Sequence, residues 1–140
     1  EYEVIELPYG PQVLWPVHCV QGTRDAELHE DLELDHAQLI IRKGWNREVD
    51  SYSAFVEADR KTTTGLEGYL KERGIDHLYL CGLATDYCVA WSALDARETG
   101  FKATVIEDAC RAIDLNGSLK EAWENMIAAG VEKITSTSIQ

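Results

Sequence analysis

Cys88 has the residue type and the sequence setting of a catalytic nucleophile. It follows a short apolar run at residues 77–81 and a turn of small residues at 82–86, and it stands where a helical pattern begins. Backbone amides that are unpaired at a helix start stabilise a thiolate and can also receive an oxyanion. Lys43 follows another apolar run and could add positive charge beside the sulfur. We therefore expect acyl-transfer chemistry at Cys88, whereas Lys43 taken alone is better explained as a solvated lysine.

The remaining candidates have structural explanations beside the chemical ones. His18 could bind a metal, but the other histidines show no spacing that completes a ligand set with it. Trp15 and Tyr52 fall in loop-like sequence, where they either stack on a ligand or cover the margin of the core. Cys81 lies inside an apolar run and Cys110 follows another, so both are expected to be structural.

From residue 38 onward, apolar runs alternate with helical periodicity. The pattern predicts strands at residues 39–41, 77–81, 103–106 and 132–135. It predicts three helices between them, with capping boxes at Thr64 and Ser118 and with ends at Gly74, Gly100 and Gly130. This βαβαβαβ order with short connections is typical of an α/β fold with a mostly parallel sheet, whose ligands bind beyond the carboxyl ends of the strands.

Residues 1–37 differ in composition from the rest of the chain. They contain all 3 prolines, and residues 1–36 hold nine acidic side chains against a single basic one, Arg24. Because no sustained periodicity is present, the sequence predicts an acidic loop segment attached to a core at residues 38–140. A length of 140 residues fits one domain.

The chain carries 25 acidic and 13 basic residues, which gives a formal net charge of −12. Such an acidic surface repels a phosphate backbone and argues against nucleic acid as a partner. No run approaches the roughly 18 apolar residues of a membrane span, and no apolar leader follows a basic start. We therefore expect a cytoplasmic protein that does not engage a membrane and whose 4 cysteines are thiols.

Three blocks of sequence carry a resemblance to a known family. They are residues 15–23 (WPVHCVQGT), residues 43–55, which begin with KG and end with YSAF, and residues 82–89 (GLATDYCV). In this order and spacing the chain resembles the nicotinamidases, the pyrazinamidase/nicotinamidase branch of the isochorismatase-like cysteine hydrolases. The resemblance implies a three-layer α/β/α, Rossmann-like fold. It also implies an amidase that converts nicotinamide and water to nicotinate and ammonia in NAD salvage.

The same resemblance implies roles for single residues. Cys88 is expected to be the nucleophile that forms a thioester, Lys43 the basic member of a catalytic triad, and His18 the last ligand of a divalent metal. That metal, commonly zinc, would hold the pyridine nitrogen of the substrate. The amides of Ala84 and Cys88 are expected to form the oxyanion hole, beside a cis peptide bond between Leu83 and Ala84. Substrate contacts are expected from Trp15, Tyr52, Leu83, Ala84 and Tyr87.

The chain also departs from the family pattern. The family has an N-terminal strand ending in an Asp that acts as general base, and a following loop that supplies an Asp and two His to the metal. Neither feature is present in these residues. We therefore expect the later part of a longer nicotinamidase, a single isochorismatase-like hydrolase domain that is incomplete at its N-terminus. The expected partners are nicotinamide, the missing N-terminal segment and, if the protein oligomerises, other copies of the chain.

Two alternatives stay open at this point. The first is another amidase or hydrolase of the same superfamily that acts on a carbamoyl or enol-ether substrate. Trp15 and His18 argue against it, because a metal that grips a pyridine ring belongs to the nicotinamidase branch. The second is a catalytically incomplete binding or assembly protein of the same fold. The presence of both Lys43 and Cys88 argues against that function.

Overall fold

The computed structural model describes residues 1–139. The strands are β1 Val4–Leu7, β2 Gly10–Val13, β3 His77–Leu83, β4 Lys102–Arg111 and β5 Glu132–Ile134. The α-helices are α1 Leu66–Glu72, α2 Ala90–Glu98 and α3 Ser118–Ala128. Strands β3, β4 and β5 form a parallel sheet in that order, and β1 and β2 form a separate antiparallel hairpin.

The helices α2 and α3 serve as the crossovers between the parallel strands. Parallel neighbours cannot be joined by a tight turn, so the chain must return along the sheet before each new strand begins. Helix α2 connects β3 to β4, and α3 connects β4 to β5. The predicted α/β fold with a parallel sheet is therefore confirmed. No helix in the described part of the chain is long and apolar enough to cross a membrane.

The β3–β4 ladder shifts its register near the carboxyl end of β3. Leu80 pairs with Val105, but Gly82 pairs with Cys110, so two residues of β3 correspond to five residues of β4. The extra residues make β4 bulge and extend it well beyond the predicted range of 103–106. This irregular end of the sheet leads directly into the turn that carries Cys88.

The hydrophobic core lies between the sheet and these helices. Ala93 and Ala96 of α2 are fully buried, as is Val105 of β4. The small side chains of the two alanines let the backbone of α2 approach the sheet closely. Met126 of α3 is also fully buried, and burying a side chain of this size contributes about 1.5–3 kcal/mol. This packing fixes the start of α2 relative to the end of β3.

The N-terminal segment differs from the prediction, because part of it forms a hairpin. Val4 pairs with Val13 and Leu7 with Gly10, with residues 8–9 at the turn. The backbone φ of Gly10 is +124°, a value that favours glycine. Strands of four residues, one of them containing Pro11, carry too little alternation for the sequence to indicate them.

Residues 39–41 are not a strand, in contrast to the prediction. Leu39 and Ile40 are 42% and 54% exposed, and they pair with no strand within residues 1–139. A strand is stable only where a neighbour supplies hydrogen bonds along its edge, and an apolar run does not reveal whether that neighbour exists. The described sheet therefore contains three of the four predicted strands.

The three predicted helices are confirmed, but α1 and α3 do not begin with the predicted capping boxes. Each helix ends two residues before the glycine that predicted its end. At the start of α1, Thr64 Oγ1 accepts a hydrogen bond from Leu66 N at 3.2 Å, and Gly65 is the capping position. The Ser118 hydroxyl donates to Asp86 at 2.6 Å instead of capping its own helix. This bond ties the start of α3 to the turn before α2.

Asp86 is a buried carboxylate that joins three parts of the chain. It accepts hydrogen bonds from Ser118 Oγ at 2.6 Å, from Asp114 N at 2.7 Å and from Ile113 N at 3.0 Å. Burial alone would raise the pKa of Asp86, but these hydrogen bonds outweigh burial and hold the pKa below its usual range. The folded protein therefore favours the ionised form more strongly than the unfolded chain does.

Replacing Asp86 with asparagine should lower the free energy of unfolding by about 1–3 kcal/mol, because an amide leaves at least one buried donor unpaired. The measurement is urea unfolding at about pH 7, with the exposed Asp25→Asn variant as the control. Because the folded pKa lies below the unfolded one, this stabilisation is complete above about pH 5 and is lost as the pH falls through the folded value. A difference between wild type and Asp86→Asn that stays constant down to about pH 2 would contradict this explanation.

Candidate active site

The contact at the centre of the site joins Lys43 to Cys88. Lys43 Nζ lies 3.5 Å from Cys88 Sγ, and both side chains are partly buried. The same Nζ donates to the carbonyl oxygen of Ser51 at 2.8 Å, so the main chain holds the ammonium beside the sulfur. An ammonium at this distance is placed to stabilise negative charge that develops on the sulfur. The structure thus brings together two predicted residues that lie 45 positions apart in the sequence.

The turn that carries Cys88 is fixed by its own backbone. Residues Thr85–Val89 form a π-helical turn in which Tyr87 N and Val89 N both donate to the Ala84 carbonyl, at 3.1 Å and 3.0 Å. The peptide bond between Leu83 and Ala84 is cis, as predicted. The turn opens directly into α2, so Cys88 lies in the first turn of a continuous helical segment.

Ser92 on α2 connects this turn to the loop that follows Lys43. Its hydroxyl donates to the Cys88 carbonyl at 2.6 Å and accepts from the Ala54 amide at 2.9 Å. Ser92 is buried, so both bonds are shielded from water. No sequence motif singled out Ser92, because a serine four residues after the nucleophile is common in any helix.

Gly44 sets the path of the chain at Lys43. Its φ is +68°, in the region that side chains disfavour. Its amide donates to Glu57 Oε1 at 3.1 Å, and its carbonyl accepts from Gln21 Nε2 at 2.7 Å. Glu57 is 5% exposed, and its Oε2 has no hydrogen-bond partner within the described residues. Because both polar groups of Gly44 are bonded, the backbone beside Lys43 has little freedom.

Three aromatic side chains, Trp15, Tyr52 and Tyr87, form what we call the aromatic wall. The ring centroids of Trp15 and Tyr87 are 4.7 Å apart, and the two ring planes are nearly perpendicular, with an angle of 85° between them. The Tyr52 ring lies 6.5 Å from Trp15 and 6.1 Å from Tyr87. Trp91, which the sequence did not indicate, stacks on Tyr52 at 5.5 Å. Tyr87 immediately precedes Cys88, so one ring of the wall belongs to the same turn as the thiol.

His18 is exposed and lies apart from any ligand set. Its Nδ1 is 2.6 Å from the Pro16 carbonyl oxygen. Residues 1–139 contain no cluster of three or more His, Cys, Asp or Glu side chains that could hold a metal ion. His18 and Trp15 line the same open cavity of about 440 Å³, between the hairpin and the loop after Lys43. The structure therefore supplies one oriented imidazole and not a complete metal site.

Cys81 is exposed, whereas the sequence predicted a core position. Strand β3 is an edge of the described sheet, and Tyr79, Cys81 and Leu83 lie on its exposed side, with Leu83 73% exposed. An apolar run cannot distinguish a strand covered on both faces from one covered on a single face. Cys110 is buried as expected, and burial raises the pKa of its thiol. Cys110 is therefore a poor nucleophile.

The chain is similar in sequence to known nicotinamidases. The isochorismatase domain model matches residues 7–138. A nicotinamidase from Acinetobacter baylyi is 65% identical over 138 residues, which are 99% of this chain and 64% of that protein. The nicotinamidase of Escherichia coli is 42% identical over 126 residues, which are 89% of this chain and 59% of that protein. The chain thus spans 59% to 64% of the length of these two curated relatives.

Solved structures share the same fold. An Acinetobacter baumanii nicotinamidase pyrazinamidase has a TM-score of 0.97 at 64% identity. The matched region covers 99% of this chain and 67% of that chain. PnC1 from L. infantum, in complex with nicotinate, has a TM-score of 0.87 at 38% identity, with coverage of 91% and 64%. The pyrazinamidase of Pyrococcus horikoshii, in complex with zinc, has a TM-score of 0.73 at 32% identity, with coverage of 88% and 64%.

Replacing Lys43 with methionine should slow the alkylation of Cys88 by iodoacetamide by about tenfold or more, because the attacking sulfur loses the ammonium that stabilises its negative charge. The rate is measured at about pH 7 by mass spectrometry of the peptide that contains Cys88. The exposed thiols of Cys19 and Cys81 are internal references whose rates should not change. Lys61→Met, at an exposed lysine, is the matched control. Equal Cys88 rates in wild type and Lys43→Met would show that the contact does not activate the thiol.

Proposed function

Because the chain belongs to the isochorismatase domain family, we propose that the protein carrying it is a nicotinamidase, which hydrolyses nicotinamide to nicotinate and ammonia in NAD salvage. The observation that carries the proposal is the 3.5 Å contact between Lys43 and Cys88, on the turn that also carries Tyr87 of the aromatic wall. An activated thiol can attack an amide carbonyl, and aromatic faces next to it suit a planar ring. The nicotinamidases among the relatives support the same substrate.

In the proposed reaction the Cys88 thiolate attacks the carboxamide carbon of nicotinamide. The carbonyl electron pair moves onto oxygen, and we assign the amides of Ala84 and Cys88 as the donors to that oxyanion. The oxyanion collapses, the carbon–nitrogen bond breaks, and the nitrogen takes up a proton and leaves as ammonia. The nicotinoyl group remains on sulfur as a thioester. Water then gives up one proton to the group that protonated the nitrogen and attacks the thioester, which releases nicotinic acid and restores the Cys88 thiolate. The acid loses its own proton to solvent and leaves as nicotinate.

Lys43 stabilises the negative charge on sulfur before the attack and after thioester hydrolysis. Its ammonium contacts Cys88 and the Ser51 carbonyl, and no carboxylate of residues 1–139 forms an ion pair with it. The proton that ammonia takes up requires a general acid–base group, which contributes about 10²–10⁴ in rate. We propose that this group is a carboxylate from the part of the domain that the relatives have and this chain does not span.

The aromatic wall is the proposed binding surface for the pyridine ring. Edge and face contacts between aromatic rings contribute about 0.5–1.5 kcal/mol each beyond simple burial. Leu83 and Ala84 precede the Cys88 turn, and we propose that they line the same pocket on the side of the carboxamide. With the ring held by Trp15, Tyr52 and Tyr87, the carboxamide carbon would face the sulfur.

We also propose that His18 is one ligand of a divalent metal, most simply zinc. Its Nδ1 faces the Pro16 carbonyl and leaves Nε2 for a metal, an arrangement typical of metal-bound histidines. The described residues alone do not fit a metal, because residues 1–139 contain no group of three or more His, Cys, Asp or Glu side chains that could hold one. The other ligands would have to come from outside them. When bound, the metal would hold the pyridine nitrogen, and no step above depends on it.

The alternatives have less support. An amidase for carbamoyl substrates would not need an aromatic wall, and a purely binding protein would not need an ammonium placed against a thiol. The cytoplasmic location, the organisation as one domain and any self-association stay predictions from the sequence, as does the expectation that the protein engages neither nucleic acid nor membrane.

Replacing Cys88 with alanine in the protein that carries these residues should reduce ammonia release from nicotinamide on the order of 10³-fold or more, because no thioester can form. Cys81→Ala removes an exposed thiol and is the matched control. In the wild type, kcat/KM should be higher for nicotinamide than for N-carbamoylsarcosine. Nicotinamide turnover that survives in Cys88→Ala would show that the nucleophile is wrongly assigned, and a preference for the carbamoyl substrate would favour the other amidase.

A further inference from the structure

Gln12 on β2 is a buried glutamine that has no role in the mechanism above. It is 6% exposed. Its Nε2 donates to the Val13 carbonyl at 2.8 Å and to Tyr52 Oη at 3.0 Å, and it also contacts the Asp50 carboxylate. Its Oε1 accepts from Tyr9 Oη at 3.3 Å. Every polar atom of this carboxamide is therefore partnered, which an apolar side chain at the same position would not require.

Tyr52 Oη is the atom where Gln12 meets the aromatic wall. It accepts one N–H from Gln12 at 3.0 Å and another from Trp15 Nε1 at 2.9 Å. A phenolic oxygen has two lone pairs, so these two bonds fill its acceptor capacity. Burial, with the charge of Asp50 adding to its effect, raises the pKa of Tyr52 to about 12. Tyr52 therefore remains a neutral acceptor at physiological pH, and the two rings are joined through one oxygen.

The same connection extends to Tyr87, on the turn that carries the nucleophile. The Trp15 ring packs edge-on against Tyr87 with 4.7 Å between centroids, and Tyr87 is the neighbour of Cys88. If Gln12 no longer donated to Tyr52, the phenol could rotate away and Trp15 would lose its acceptor. The orientation of the Tyr52 and Trp15 rings would then vary.

The main chain that holds Lys43 has an anchor that does not involve Gln12. The Ala58 amide donates to the Asp50 carbonyl at 2.9 Å. The Ser51 amide donates to Asp50 Oδ1 at 2.8 Å, and Gln12 contacts the other oxygen of that carboxylate. The Ser51 carbonyl that accepts from Lys43 therefore keeps its backbone anchor at Asp50 when Gln12 changes. Loss of the Gln12 carboxamide should free the rings of the wall more than it disturbs the contact between Lys43 and Cys88.

We propose that Gln12 is a positioning residue for substrate binding, whose carboxamide fixes the Tyr52 and Trp15 rings in the orientation that accepts a planar heteroaromatic ring. This inference rests on the proposed function, because it names what sets the affinity of that same site. It assigns Gln12 to binding of the ring and not to the bond-breaking step.

The first test compares Gln12→Met, which keeps the length of the side chain and removes its polar atoms, with Gln38→Met at an exposed position. In Gln12→Met, KM for nicotinamide should rise about tenfold while kcat changes less than about threefold, because lost hydrogen bonds of this kind weaken binding by roughly that factor. Gln38→Met should match the wild type. An unchanged KM in Gln12→Met, or a loss confined to kcat, would overturn the proposal.

The second test uses Gln12→Glu, which keeps the length of the side chain but has no N–H to donate to Tyr52. A carboxylate only accepts hydrogen bonds, and a protonated carboxyl has a single O–H, for which the neighbouring Asp50 carboxylate competes. At about pH 7, KM of Gln12→Glu for nicotinamide should therefore be raised at least as much as that of Gln12→Met. A KM for Gln12→Glu equal to that of the wild type would contradict a positioning role through the N–H donated to Tyr52.

A third measurement does not depend on activity. In the ¹⁵N-labelled protein the indole N–H of Trp15, assigned with Trp15→Phe, should exchange with water more slowly than that of Trp45, which is 67% exposed. In Gln12→Met the Trp15 rate should rise by about tenfold or more. An unchanged rate would overturn the role of Gln12 whatever the substrate is. A wild type that does not hydrolyse nicotinamide would instead refute the proposed function, and indole exchange would still test Gln12.

Discussion

The contact between Lys43 and Cys88 is the constraint on which the rest of this structure depends. Its two members are positioned by different means. Cys88 lies on a turn between β3 and α2, whose packing against β4 fixes it as part of the core. Lys43 lies on irregular backbone, where a hydrogen bond to the Ser51 carbonyl holds its ammonium. A 3.5 Å approach requires that the loop be as well defined as the helix.

Hydrogen bonds between side chains and backbone give the loop that definition. Glu57 accepts from the Gly44 amide, and Ser92 accepts from the Ala54 amide while it donates to the Cys88 carbonyl. Each of these partners is buried, so each unmade bond would cost about 1–3 kcal/mol. This cost makes alternative loop conformations unfavourable. Ser92 in particular couples the loop of the cation to the helix of the nucleophile, so the two halves of the contact cannot move independently.

The sequence predicted the parts of the structure that residues near one another in the chain determine. Helix ends at Gly74, Gly100 and Gly130 followed from glycine chemistry, and the placement of Cys88 at a helix start followed from a strand, a turn and a helical pattern in succession. The prediction of a strand at residues 39–41 was wrong, because strand pairing depends on a neighbour that lies far away in the sequence. Gln12 was missed for a similar reason, since a glutamine becomes informative only when Tyr52 and Asp50, far along the chain, are seen around it. The roles of Lys43 and His18 came from resemblance and not from spacing.

The central claim is that Cys88 carries the acyl group during turnover, and trapping that group tests it most directly. The protein is mixed with excess nicotinamide, quenched in acid during steady-state turnover and digested, and each cysteine peptide is weighed by mass spectrometry. We predict a nicotinoyl group on the peptide that contains Cys88, released by hydroxylamine, with Cys19, Cys81 and Cys110 unmodified. Continued formation of nicotinate with no adduct on Cys88, or with the adduct on another cysteine, would contradict the account.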